Sequence, residues 1–300
     1  MSEEESNSDG AALATAPALM GAMLRGVPPE LMATGSMLTI QLGAALAVPI
    51  MAVIGPVATT TLRLLWGGIF LVIIVRPRFG AMTRRQWFAA GSLGVVIAGL
   101  TLCYFAAISR IPMGTATAIE FLGPLGVAFA GTRRFIHLVL AAVAASGVFL
   151  LTREQSQWSV DVGGIGFAAG AAVGWAAYIL LMKRVGTYFA GLQGLSIALL
   201  VAAISAMPAS LFAKGSMLTP WPVMATIGLA VLNPVVPYAL EMIALRRMST
   251  RAFGIFMSME PAISAVLGYA ILAQHLSPRQ TAGIGCVVVA SALTALKSRE

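Results

Sequence analysis

Met257-Ser258-Met259-Glu260-Pro261-Ala262 sets a glutamate and a proline side by side within an apolar run. Ala118-Ile119-Glu120-Phe121-Leu122-Gly123-Pro124-Leu125 does nearly the same in the first half of the chain. A carboxylate in hydrocarbon costs from about 3 to more than 10 kcal/mol, so such a group normally faces a partner or a watery cavity. Proline removes a helix N–H and opens the ladder beside it. When Pro124 is laid on Pro261, an offset of 137 residues, Arg110 falls on Arg247, Ile111 on Met248 and Gly123 on Glu260. Interrupted helices at matching places in two halves mark the ligand site of a transporter built from a repeat.

The surrounding composition is that of a membrane protein. The chain has 300 residues, 59% hydrophobic and 10% charged, with a net charge of +8 and a mean hydropathy of +0.90. Soluble domains carry about 25% charged residues. Runs such as 31–54 contain no charge, and a helical span needs about 20 apolar residues. Ten spans are expected, near 31–54, 58–75, 87–107, 112–131, 135–152, 162–182, 191–213, 222–245, 251–273 and 280–296. The basic residues sit in the short links between them, so they orient the chain in the lipid bilayer and give no reason to expect nucleic acid. Counted with the N-terminus inside, the cytoplasmic segments hold fourteen Lys and Arg and the outer links hold four, Arg110, Arg153, Lys214 and Arg279. That alternation supports an all-α integral membrane protein with ten transmembrane helices and both termini cytoplasmic.

The expected division is a cytoplasmic N-terminal tail over 1–30, a first five-helix repeat over 31–152, a second over 162–296 and a cytoplasmic C-terminus over 297–300. Five spans per half is odd, so the second repeat is inverted relative to the first, the architecture of alternating access. The opening MSEEESNSDG is acidic, whereas a secretory signal begins with a basic region.

Within the expected spans the acids are Glu120, Glu241 and Glu260. Glu120 and Gly123, the repeat mate of Glu260, share one helix face, so the repeat axis brings Glu120 and Glu260 toward a common central volume. Each reads as a ligand group or as a hydrogen-bonded anchor between helices. Glu241 lies a turn from the cytoplasmic end of its span, close to Arg246, Arg247 and Arg251, where an interfacial ion pair explains it equally well. Arg63 is the one basic residue inside a span. It reads first as a side chain snorkelling outward and second as a receiver for a substrate carboxylate. Gln41, Tyr104, Asn233 and Tyr238 are further polar groups within spans. Trp175 and Tyr178, three apart on one face, either line a pocket or fill the bundle.

Pro49, Asn233-Pro234, Pro237, Gly114, Gly123, Pro124 and Pro261 are the expected helix breaks. Gly114, Gly123, Pro124 and Pro261 are the candidate hinges. Gly166, Gly170 and Gly174 recur every four residues and read as a close-packing stripe. Cys103 and Cys286 stand far apart without a CxxC, and His137 and His275 lack ligand spacing, so no metal and no cofactor are expected. There is no HExxH, no P-loop and no Asp inside a span, and enzyme chemistry is not expected.

Ala118 to Leu125, Pro237-Tyr238-Ala239-Leu240-Glu241-Met242-Ile243-Ala244-Leu245 and Met257 to Ala262 resemble segments of EamA-type transporters of the drug/metabolite transporter superfamily. The similarity is greatest to the bacterial threonine/homoserine exporter subgroup and extends more distantly to the aromatic amino-acid exporter. It implies ten helices in two inverted repeats, and export of amino acids or related metabolites through a bacterial inner membrane. Many relatives carry Gly-Glu after the ninth span where this chain has Ala273-Gln274, so no role of that acid is carried over. The cargo expected from the residues and the resemblance together is a zwitterionic amino acid. Its ammonium goes to Glu120 or Glu260, and its carboxylate to amides at helix breaks or to Tyr104 and Tyr238. A glutamate titrating in the cavity can couple protons to export. The rival readings are a drug or other metabolite as cargo, and a non-transporting membrane scaffold or receptor subunit.

Overall fold

A computed structural model describes residues 26–130, 135–152, 161–210, 220–248, 253 and 256–297. Among them every regular element is helical. Along the chain these are α1 (Pro29–Val75), α2 (Arg84–Ile108), α3 (Met113–Glu120), α4 (Leu122–Ala130), α5 (Phe135–Thr152), α6 (Val162–Tyr188), α7 (Gln193–Ser210), α8 (Pro220–Ala230), α9 (Val236–Arg247), α10 (Glu260–Leu272) and α11 (Pro278–Lys297). Five are long and apolar enough to cross a membrane: Pro29–Val75, Arg84–Ile108, Val162–Tyr188, Gln193–Ser210 and Pro220–Leu245. Large apolar side chains face outward, Phe88 at 74%, Val173 at 73% and Val266 at 65% exposure, as expected where lipid is the solvent.

The segments 31–54 and 58–75 are joined without a loop. A straight helix of 47 residues would run about 70 Å, more than twice the hydrocarbon thickness of about 30 Å. Gly55 breaks it with φ 82° and ψ 159°, a conformation that a Cβ would obstruct, and Pro56 follows. Gly43 and Gly67, each twelve residues from Gly55, both abut the segment 232–235. A Cβ on Gly43 would lie 3.0 Å from the Asn233 Cβ, and one on Gly67 2.8 Å from the Pro234 Cγ. The two halves of α1 therefore double back and reach the same neighbour. The expected break at Pro49 is not where the chain turns: α1 continues through Pro49 and bends at Gly55.

The other interruptions frame the centre of the bundle. Phe121 separates α3 from α4. Ser258 and Met259 form a turn before α10, so Pro261 sits in that helix's first turn rather than in its interior. A first-turn proline sacrifices no helical hydrogen bond. Phe121 and Ser258 stand 137 residues apart, the same offset as the two prolines. Between α8 and α9, Val231–Val235 is a π-helical turn in which Asn233 leaves helical geometry and a cis peptide precedes Pro234.

Glycines allow the closest helix crossings. A Cβ on Gly123 would collide with the Ala172 carbonyl of α6, and one on Gly94 would lie 2.5 Å from the Ala198 carbonyl of α7. Gly114 lies within continuous α3, where its bare surface admits Ala265. The expected glycine stripe is only partly a contact. Gly170 meets Cys103 and Gly174 meets Leu100, but Gly166 faces open space.

Candidate functional site

One cavity collects the polar and aromatic side chains singled out above as substrate ligands, with the exception of Arg63, which does not line it. Gln41 comes from the first half of α1 and Tyr104 from α2. Glu120 is the last residue of α3, and Trp175 and Tyr178 lie one turn apart on α6. Asn233 comes from the π turn, Tyr238 and Glu241 from α9, and Glu260 from the first turn of α10. The carboxylates reach the centre because α3 ends and α10 begins there.

The three acids are bonded differently. Glu241 is 3% exposed and satisfied at both oxygens. Ser36 Oγ donates to its Oε1 at 2.9 Å and Tyr178 OH to its Oε2 at 2.9 Å. Both bonds come from residues of the bundle interior; of the arginines near it in sequence, Arg247 is exposed, while Arg251 and the Arg246 side chain lie outside the described residues. Glu260, 2% exposed, receives Gln41 Nε2 on Oε1 at 2.8 Å, and its buried Oε2 has no partner among the described residues. Glu120 lines the same cavity and accepts no hydrogen bond from any described residue. Two of the three acids thus hold open acceptor positions at the cavity. Buried polar groups in folded proteins are overwhelmingly satisfied, so open acceptors facing a cavity point to a ligand or to water.

Hydroxyls hold the acid-binding amide in place. Tyr104 OH donates to Gln41 Oε1 at 3.1 Å and shares a hydrogen bond with Thr117 Oγ1 at 2.9 Å; Thr117 in turn shares one with Ser264 Oγ at 2.8 Å. This fixes the Gln41 amide with its NH2 toward Glu260. Aromatic rings form much of the remaining wall. Trp175 stands edge-to-face with Phe121, centroids 5.4 Å apart, and Tyr178 lies 5.5 Å from Tyr238.

Arg63 corrects the sequence reading. It does not snorkel outward but is 1% exposed. Its Nε and Nη2 donate to the Asn233 carbonyl at 3.1 and 2.8 Å, and its guanidinium lies 4.3 Å above the Phe105 ring centroid. The break at Asn233 frees this carbonyl from the helix ladder, and Arg63 takes it up. Gln274 accepts the Met113 N–H at 3.0 Å and so caps α3. Ala273 before it holds a left-handed conformation, φ 51°. No group of three His, Cys, Asp or Glu side chains suited to a metal converges among the described residues.

The chain is 36% identical over 267 residues to the threonine/homoserine exporter RhtA of Escherichia coli K12, covering 88% of this chain and 90% of that protein. Residues 162–296 match the EamA-like transporter family. The chain belongs to that family. A second relative of this EamA-like transporter is the threonine/homoserine exporter RhtA of Salmonella typhimurium LT2, 35% identical over 258 residues and covering 85% of this chain and 87% of that one. An uncharacterized transporter of Bacillus subtilis, YvbV, is 26% identical over 141 residues, 44% of this chain and 46% of that one. A crystal structure of a protein 20% identical in sequence matches the EamA-like fold with a TM-score of 0.62, over 91% of this chain and 99% of that one.

Four lining residues of the EamA-like cavity escaped the sequence reading: Ile40, Leu100, Thr101 and Phe105. Helical spacing carried a signal for two of them, since Leu100 and Thr101 stand four and three residues before Tyr104 and so share its face.

Proposed function

We propose that this transporter exports small α-amino acids, of the threonine and homoserine type, from the cytoplasm through a bacterial inner membrane. The observation that carries the reading is the pair of cavity glutamates with open oxygens, Glu120 and Glu260, which suit a substrate ammonium group. The relatives' activity as threonine/homoserine exporters agrees with it. Ten spans in two inverted five-helix repeats give the molecule its alternating access. The matched interruptions at Phe121 and at Ser258–Met259 support that arrangement. The halves rock about Gly114, Gly123-Pro124 and Pro261, and both termini stay cytoplasmic. Tyr104, Trp175, Tyr178, Tyr238, Gln41, Asn233 and Glu241 shape and hold the site.

The test is transport of labelled threonine and homoserine by the purified protein in liposomes, with the twenty amino acids as competitors. No flux of any amino acid would refute the proposal. Proton coupling is tested in the same vesicles: under it, an imposed pH gradient drives labelled amino acid uphill. A second reading has an observation of its own. Tyr104, Phe105, Trp175, Tyr178 and Tyr238 give the cavity aromatic walls, which suit a flat metabolite or drug. Strong competition by such compounds and none by amino acids would favour it.

A further inference from the structure

Among the described residues Arg63 is the one cation placed behind this cavity, and its bonding is unfinished. The Asn233 carbonyl occupies one edge of the guanidinium, through Nε and Nη2. Nη1 is buried and has no hydrogen-bond partner among the described residues. Glu120, Glu241 and Glu260 all line the cavity, yet none pairs with it. A buried charge with open donors is normally neutralised by a partner, and guanidinium geometry suits a carboxylate better than any other side chain does.

Arg63 stands directly behind two cavity-lining residues, Phe105 under its plane and Asn233 at its edge. It is also tied to the acidic side of the site. Asn233 Nδ2 donates to the Ile40 carbonyl at 3.4 Å, and the next residue, Gln41, holds Glu260. Unmet negative and positive groups therefore lie close together: Glu260 on the cavity lining, and Arg63 one layer behind the lining residues Phe105 and Asn233. Three glutamates without Arg63 would favour any amine. With Arg63 they favour a cation that also carries a carboxylate.

We propose that Arg63 is the specificity-determining cation of the transport site, selecting substrates with a free carboxylate through its unfilled Nη1 edge. This rests on the amino-acid reading given above and deepens it. The experiment compares liposome flux of labelled threonine with that of its carboxamide, which keeps the ammonium and the hydroxyl and lacks the carboxylate. The unaltered protein is expected to carry threonine at least about tenfold faster. In Arg63→Gln that ratio falls at least about tenfold, as losing about one charged contact predicts. Arg63→Lys keeps the charge and restores part of the ratio. An unchanged ratio in Arg63→Gln, whatever the absolute rates, overturns the proposal and leaves Arg63 as a brace for the Asn233 break. The unaltered protein also supplies a test that needs no variant. Threonine is expected to raise its thermal unfolding midpoint and the amide is not; equal protection by both overturns the proposal. Amino-acid and amide flux that are equal in the unaltered protein sink this inference alone. Absence of both fluxes sinks the transport reading with it.

Discussion

Replacing Glu260 by Gln separates a transport ligand from a structural anchor, because the two roles move stability and flux in opposite senses. The side chain keeps its size, and its remaining oxygen can still receive Gln41 Nε2, which now lies at 2.8 Å. A hydrogen bond to a charged group contributes about 1.5–3 kcal/mol and a neutral one about 0.5–1.5, so this contact loses about 1 kcal/mol. Against that stands the removal of a carboxylate whose second oxygen is buried and unpartnered, a relief of about 3 kcal/mol or more in a bilayer setting. Folding stability should hold or rise. Recognition of an ammonium group should weaken by about 2–5 kcal/mol, as when one partner of a buried charge pair is truncated. That corresponds to a loss of about 30-fold to several thousand-fold in affinity. The assay is threonine efflux from liposomes, with thermal unfolding in detergent as its control. A variant that unfolds earlier but exports within about twofold of the original rate would refute the reasoning and favour a scaffold role for Glu260.

Three further substitutions probe what positions the site. Tyr178→Phe strips Glu241 Oε2 of its donor and should cost about 1–3 kcal/mol of stability, read as a lower unfolding midpoint. Gly123→Ala drives a methyl group into the Ala172 backbone, which cannot yield without moving α6. It should cost about 1–3 kcal/mol or more, and normal stability would show that the crossing is looser than described. Ala273→Gly should raise the midpoint, since an Ala at φ 51° bears a penalty of about 1 kcal/mol that Gly avoids.

The cavity was legible because it violates the composition around it. Gln41, Glu120, Asn233, Glu241 and Glu260 are expensive in oil, so their presence alone argued for a shared polar interior. Trp175 and Tyr178 were ambiguous by spacing, and only the fold turns Tyr178 onto Glu241 and Tyr238 and Trp175 onto Phe121. Phe105 and Ile40 gave no signal, since spans that are apolar on all sides have no readable face. Arg63 was misread for a different reason. Its depth suggested an escape to the surface, and nothing in the sequence showed that the break at Asn233 would leave a carbonyl within its reach. The doubling back of α1 was half visible. Gly55-Pro56 fell in the gap between two expected spans, but the link proved to be a single left-handed residue rather than a loop.

The Asn233 break is gripped from three directions. Gly43 lets one helix press on its side chain, Gly67 lets another press on Pro234, and Arg63 grips its carbonyl. Such a node gives little under load. Glu120 and Glu260 stand elsewhere, beside the interruptions at Phe121 and Ser258–Met259. Under the proposed rocking of the two halves, the acids sit at the helix ends that would shift and the arginine at the clamped break, so a stroke would change the spacing between opposite charges.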